Sequence, residues 1–344
     1  MPHGVVHRAF CCLSIVFCEP LQVSSSLQSF LQNMTELEIQ MNSVERVRFF
    51  SEQVSQEAPY VRDQDGQVVR RGGVASWPSA GLVRFKSVSA RYRPELPRVL
   101  NGLSIDVGAA QKIGVCGRTG SGKSTLMLLL FRILELDEGS IEIDGVDIST
   151  LGLSQLRRAI AMLPQDPILF AGSIRENLDP FGQHDDSQLY AALEQAQLTR
   201  TLQRQNQDLK SNVGEGGGTL SVGQRQLLCF ARAVLRNSKL LVMDECTANV
   251  DVETDSLLQS MVRRTFAHCT IFTIAHRLAT VIDYDCIAVL DNGHLVEYGQ
   301  PAQLLRDSAG HLSALVEQTG PTMSSHLRSM AQAAASATTN KLGR

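Results

Sequence analysis

Nine residues, GRTGSGKST from Gly117 to Thr125, constrain this chain more than any other stretch. They close the apolar run KIGVCG and lead into TLMLLLFRIL, a pattern that predicts a buried strand turning sharply into a helix. Gly117-x4-Gly122-Lys123-Ser124 fits the phosphate-loop pattern, with Thr119, Gly120 and Ser121 inside the turn and Thr125 at the helix start. Glycines let the backbone curl until successive N–H groups point inward at phosphate oxygens, and the following helix adds its positive N-terminal dipole. Lys123 is placed to bridge the β- and γ-phosphates of a nucleoside triphosphate, and the Ser124 hydroxyl to ligate Mg²⁺.

A second run, KLLVMDE from Lys239 to Glu245, reads as a buried strand ending in two carboxylates. Beside a phosphate loop, Asp244 is placed to hold Mg²⁺ through water and Glu245 to polarise a water in line with the γ-phosphate.

Composition narrows the partners. The 344 residues are 43% hydrophobic and 19% charged, ordinary globular values with room for one large or two modest domains. Net charge is −3 and no dense Lys/Arg cluster occurs, so no nucleic-acid partner is expected. The eight cysteines (Cys11, Cys12, Cys18, Cys116, Cys229, Cys246, Cys269 and Cys286) form no CxxC pair and sit mostly in apolar runs, as small core residues of a reducing compartment do.

Along the chain, residues 1–19 form an atypical apolar segment. Its run AFCCLSIVFC is short for a span of about 20 residues, and its basic flank His7-Arg8 resembles a weak signal or the stump of a longer helix. Residues 20–53 are helix-compatible, with Val23, Leu27, Phe30, Met34, Leu37, Met41 and Val44 alternating steps of four and three. That heptad seam calls for a partner helix or for the globular domain. Residues 54–80 read as a polar linker. Residues 81–318 alternate short apolar strands with helices, an α/β domain with a central, mostly parallel sheet and a small antiparallel sheet at its start. Residues 319–344 are Ser/Ala/Thr-rich and read as a disordered tail.

LSVGQRQ, Leu220 to Gln226, separates the phosphate-loop families. It resembles the LSGGQ signature of ATP-binding cassette (ABC) proteins, follows the glycine run EGGG, and falls between the phosphate loop and Asp244-Glu245 in the order that family requires. Tyr92 in SARYRPELP resembles the aromatic that stacks on adenine, Gln165 in LPQDP the Q-loop glutamine that meets metal or water, Asp251 of ANVD the D-loop, and His276 of TIAHR the switch histidine. The resemblance covers roughly residues 81–318. It implies the ABC type of P-loop NTPase fold, with a helical subdomain carrying the signature motif. It also implies Mg-ATP hydrolysis by a head-to-tail pair of nucleotide-binding domains, in which Ser221, Gly223 and Gln224 cap the nucleotide of the opposite domain.

SVGQRQLLCFARA, ENLDPF and TIAHRLATVIDYD are similar to the second nucleotide-binding domain of the C subfamily, the multidrug-resistance-associated exporters. MTELEIQMNSVERVRFF resembles the cytoplasmic end of their last membrane helix, which would give the seam its partners. The resemblance implies the motor of an exporter of organic anions, conjugates or drugs at the cytosolic face of a membrane, completed by transmembrane domains and a second nucleotide-binding domain outside this chain. Three alternatives stay open: an ATP-driven regulatory dimerisation module with little flux, an idle truncated fragment, and a soluble DNA-repair type of cassette, which the absence of a basic surface disfavours. Val222 departs from the usual second glycine of the signature, Cys246 and Asn249 stand where alanine or serine is more usual, and Cys116 adds a thiol just before the phosphate loop.

Overall fold

The computed structural model describes residues 3–54, 56–60, 77–244, 252–275 and 277–342; the side chains of 3–22, 252–253 and 337–342 are left aside. The chain divides into two compact units, Met1–Glu57 and Ala58–Arg344.

The first unit is a single helix, α1 (His3–Glu52), which passes through Pro20, where the sequence pattern placed its start. The heptad side chains from Val23 to Val44 stand exposed. Near its end Arg48 and Glu52 pair at 2.9 Å across one turn. No helix among the described residues is long and apolar enough to cross a membrane.

In the second unit, four strands form an antiparallel sheet in the order β2-β1-β4-β5, from β1 (Val83–Ala90), β2 (Leu100–Val107), β4 (Glu138–Ile143) and β5 (Val146–Asp147). Asp144, in the turn after β4, secures the start of this sheet. Its carboxylate accepts the backbone N–H groups of Ser79, Ala80, Gly81 and Leu82 at 2.7–3.2 Å.

Six strands form the central sheet in the order β10-β9-β3-β8-β7-β6: β3 (Lys112–Gly117), β6 (Ile160–Leu163), β7 (Leu240–Asp244), β8 (Thr270–Ile274), β9 (Cys286–Asp291) and β10 (His294–Gly299). The strands from β9 to β6 run parallel, and β10 returns antiparallel at one edge. All five residues of β8 are buried, as expected of a parallel strand covered on both faces.

Because successive strand residues point to opposite faces, each strand feeds two cores. Leu240 and Val242 of β7, with Ile113 and Val115 of β3, face the antiparallel sheet, helix α2 (Lys123–Leu130) and Leu156 of helix α3 (Leu153–Ala159). Leu241 and Met243 of β7 face a helical subdomain built from α4 (Ile174–Leu178), α5 (Asp186–Gln195), α6 (Thr199–Arg204) and α7 (Val222–Arg236), with α8 (Val252–Thr265) packed against the same core. Ile287 and Val289 of β9 face a third cluster formed with α10 (His311–Glu317) and α11 (Pro321–Leu342), beside α9 (Pro301–Leu304).

The last of these helices corrects the sequence reading, which made residues 319–344 a disordered tail. Over residues 321–342 the chain is helical, with Leu327 and Ala331 buried four residues apart and Arg328 donating to the Leu305 carbonyl at 2.8 Å. Alanine is the best helix former, so an Ala-rich stretch with one apolar stripe folds onto a core that composition alone does not show.

Candidate functional site

Parallel strands bring their carboxyl ends to one edge, and the register here is level. Val115 of β3 pairs with Ile274 of β8, Ile274 with Asp244 of β7, and Met243 of β7 with Leu163 of β6. With strands about 4.8 Å apart, four chain exits line an edge about 14 Å long. The phosphate loop leaves β3 there, Asp244 ends β7, and Gln165 follows β6 by two residues. The carboxyl edge of an open α/β sheet is where such folds bind ligands.

The loop is built for close approach. Gly117 adopts φ +150°, and a Cβ there would lie 2.2 Å from the Leu290 carbonyl oxygen. Gly122 adopts φ +100° as the residue preceding α2, and a Cβ there would meet Leu100 Cδ2 at 2.6 Å. No side chain therefore fits at either position. Gly122 supplies no side-chain cap, so the first-turn N–H groups of α2 are left for a ligand. Thr119, Gly120 and Ser124 are exposed, whereas Ser121, Lys123 and Thr125 are buried.

Two features fit a bound polyphosphate. The Ser121 hydroxyl is buried and has no hydrogen-bond partner among the described residues, an orphan inside an anion cradle. The Lys123 ammonium, 5% exposed, donates to the carbonyls of Gly117 and Arg118, both at 2.9 Å, and so folds back on its own loop. Burial pushes its pKa down, and Cys116 and Asp244 oppose that shift. Burial pushes the Cys116 thiol up to about 12, so it stays uncharged at neutral pH. Cys116 is therefore an inert core residue, and Asp244 is near enough for its field to act on Lys123.

Tyr92 lies in the connection between β1 and β2, half-exposed, with its hydroxyl 3.0 Å from the Thr125 hydroxyl. The sequence motif is thereby joined to the phosphate-loop helix. Gln165 has an exposed side chain, while its backbone is held from the signature helix: Gln226 Nε2 donates to the carbonyls of Pro164 and Gln165 at 3.2 and 2.8 Å. Gln226 is 1% exposed. It had no assigned role in the sequence reading, although a glutamine beside the apolar run LLCF was a visible signal of an inward polar group.

The signature residues form the start of α7. Ser221 Oγ accepts the Gln224 N–H at 3.2 Å and Gln224 Oε1 accepts the Ser221 N–H at 2.9 Å, a capping box. Gly223 sits against α8, where a Cβ would touch Thr254 Cγ2 at 3.3 Å. Among the described residues, no hydrogen bond joins Ser221, Gly223 or Gln224 to the Gly117–Thr125 loop. The chain thus presents two separate helix starts, one at the end of β3 and one on the helical subdomain. Glu245, Asp251 and His276 lie outside the described residues, whose backbone reaches Asp244, Val252 and Ala275 beside them.

Residues 100–248 match the ABC transporter family. The chain is 47% identical over 294 residues to human ATP-binding cassette sub-family C member 2, covering 86% of this chain and 18% of that protein. It is 45% identical over 313 residues to ABC transporter C family member 3 of Dictyostelium discoideum, covering 91% of this chain and 22% of that protein. The chain therefore spans about a fifth of the length of these relatives. Among solved structures, a bacterial Atm1-family ABC exporter with ATP bound superposes with a TM-score of 0.71 at 31% identity, covering 82% of this chain and 47% of that one.

Proposed function

Since the chain carries a nucleotide-binding domain of the ABC transporter family, similar to those of the C subfamily, we propose that it binds Mg-ATP at the carboxyl edge of the central sheet. In this reading it hydrolyses ATP as one half of a head-to-tail pair and drives an exporter of organic anions, conjugates or drugs at the cytosolic face of a membrane. The observation that carries this reading is the cradle around Lys123, where an ammonium folded onto its own carbonyls lies beside a buried, unpartnered serine hydroxyl. Both groups fit a bound anion.

Each residue then has a task that its position supports. Lys123 would exchange its two carbonyl acceptors for β- and γ-phosphate oxygens, and the first-turn N–H groups of α2 would hold the same phosphates. Ser124, exposed at the helix start, Asp244 and Gln165 would hold Mg²⁺. When bound, Mg²⁺ would neutralise charge on the phosphate oxygens. Glu245, next after Asp244 in sequence, would orient and deprotonate the attacking water, and His276 would contact the γ-phosphate. Tyr92 offers a flat face to adenine.

The second helix start supports a paired site. Ser221 and Gly223 begin a helix with anion-attracting N–H groups, yet they stand apart from the phosphate loop of their own chain. They would cap the nucleotide of an opposite domain, with Asp251 at the same junction. The other partners would be transmembrane domains that engage the exposed seam of α1.

Turnover of the Glu245→Gln variant tests the assignment. Hydrolysis should fall by about two to four orders of magnitude, the contribution of a positioned base, while Mg-ATP binding stays intact. Unchanged turnover would remove Glu245 from the mechanism.

A further inference from the structure

Two N–H groups at the start of α3 are satisfied from far back in the chain. First-turn N–H groups have no partner inside their own helix, and Gly152, which precedes α3, offers no side-chain cap. The Leu153 N–H donates instead to the Pro59 carbonyl at 3.2 Å, and the Ser154 N–H to the Tyr60 carbonyl at 2.9 Å. Ala58 opens the second unit, so this strap lies where the chain coming from α1 enters the domain. The Tyr60 side chain is exposed while its carbonyl makes the attachment.

The other end of α3 is clasped by arginines. Arg157, in its last turn, donates Nε to the Phe131 carbonyl at 3.1 Å and Nη2 to the Arg132 carbonyl at 3.0 Å, just past the end of α2. Arg132, 5% exposed, reaches the opposite way, from Nη1 to the carbonyls of Ile148 and Leu151, both at 3.0 Å, in the connection that leads into α3. Arg236, in the last turn of α7, donates Nη1 to the carbonyls of Arg157 and Ile160 at 3.0 and 2.9 Å. The helix α2 begins at the phosphate loop and α7 at the signature. Both are therefore bonded, at the ends away from those sites, to one short helix that holds the strap at its own start.

We propose that the Pro59–Tyr60 strap is coupled through α3 to the phosphate-loop helix, so that Mg-ATP bound at the start of α2 tightens the seat of the strap. A ligand that orders α2 steadies the carbonyls onto which Arg157 forks, and a steadier α3 holds the strap with less further ordering. The device gives the chain its own covalent route between α1 and the two helix starts. The coupling rests on the reading that α2 receives Mg-ATP; the docking of the strap does not.

The test is amide hydrogen exchange on the full chain, read at single residues, with and without Mg-ATP. In the ligand-free parent, Leu153 and Ser154 should exchange about three- to tenfold more slowly than open amides, the value of one hydrogen bond. Pro59→Gly frees the strap backbone and should speed both amides about two- to fivefold. Mg-ATP should slow them about fivefold or more in the parent, the lower end of site-to-site coupling, together with the amides of Gly122 to Ser124. In Arg157→Met the slowing at Leu153 and Ser154 should be lost while that at Gly122 to Ser124 persists. Arg157→Lys keeps charge and stem without the fork, and gives the same reading where the methionine variant does not fold. Leu153 and Ser154 exchanging as open amides in the ligand-free parent would overturn the strap. Slowing confined to Gly122 to Ser124 in the parent, or slowing at Leu153 and Ser154 that survives both Arg157 variants, would overturn the coupling. No change at Gly122 to Ser124 with Mg-ATP would overturn the nucleotide reading and the coupling with it, and the ligand-free exchange would still decide the strap.

Discussion

Replacing Lys123 by methionine separates what the ammonium does for the fold from what it does for a ligand. The ammonium is buried against two carbonyls of its own loop. The hydrogen bonds stabilise it and desolvation opposes them, both by a few kcal/mol, so the net effect on the empty protein should be within about 1 kcal/mol. With nucleotide the ammonium would face phosphate charge instead. Removing one member of such a pair costs about 3 kcal/mol, or roughly 100-fold in Kd.

Linkage turns this into a melting shift. At 100 times its Kd, Mg-ATP stabilises the parent by about 2.7 kcal/mol; at the same concentration the variant sits near its Kd and gains about 0.4 kcal/mol. At about 2–4 °C per kcal/mol for a domain of this size, the nucleotide-induced shift falls from about 5–11 °C to about 1–2 °C. Differential scanning calorimetry with and without Mg-ATP reads both quantities. A shift of full size in Lys123→Met would refute the phosphate role. A large drop in the melting temperature of the empty protein would show that the ammonium is a structural strut.

Two further outcomes are specific to this structure. Gln226→Leu removes both donors to the Pro164 and Gln165 carbonyls from a buried site, and urea unfolding should show about 1–3 kcal/mol of lost stability; an unchanged midpoint would mean that the bridge contributes nothing. Burial pushes the Asp144 carboxyl pKa up, but four backbone N–H bonds outweigh it and hold the pKa below 3.8. A depressed carboxyl stabilises the fold above its unfolded pKa and loses that contribution as pH falls through the folded one. Asp144→Asn should therefore be less stable than the parent at neutral pH, with the difference shrinking as pH falls through the lowered folded value of the carboxyl; a difference independent of pH would contradict the assignment.

Much of the site was legible because it depends on residue types at fixed spacing. The phosphate loop needs glycine where a Cβ would strike the Leu290 carbonyl, so the sequence had to show it. Buried parallel strands read as continuous apolar runs, and KLLVMD and CTIFTIA are β7 and β8. What was not legible depends on which residues meet. The Tyr92–Thr125 contact joins positions 33 apart, and the Gln226 bridges reach 61 and 62 residues back. Neither separation leaves a local pattern. The helix over 321–342 was hidden for another reason: its buried stripe is little more than Leu327 and Ala331, too small to stand out from a polar, alanine-rich composition.

The two separate helix starts make the central claim concrete, since a site completed by an opposite domain can turn over only as fast as domains pair. The direct measurement is ATP hydrolysis per chain as a function of chain concentration at saturating Mg-ATP. The account predicts specific activity that rises with concentration and then levels as pairs fill. Specific activity that is flat over the whole range, or bound Mg-ATP with no turnover at any concentration, would contradict it.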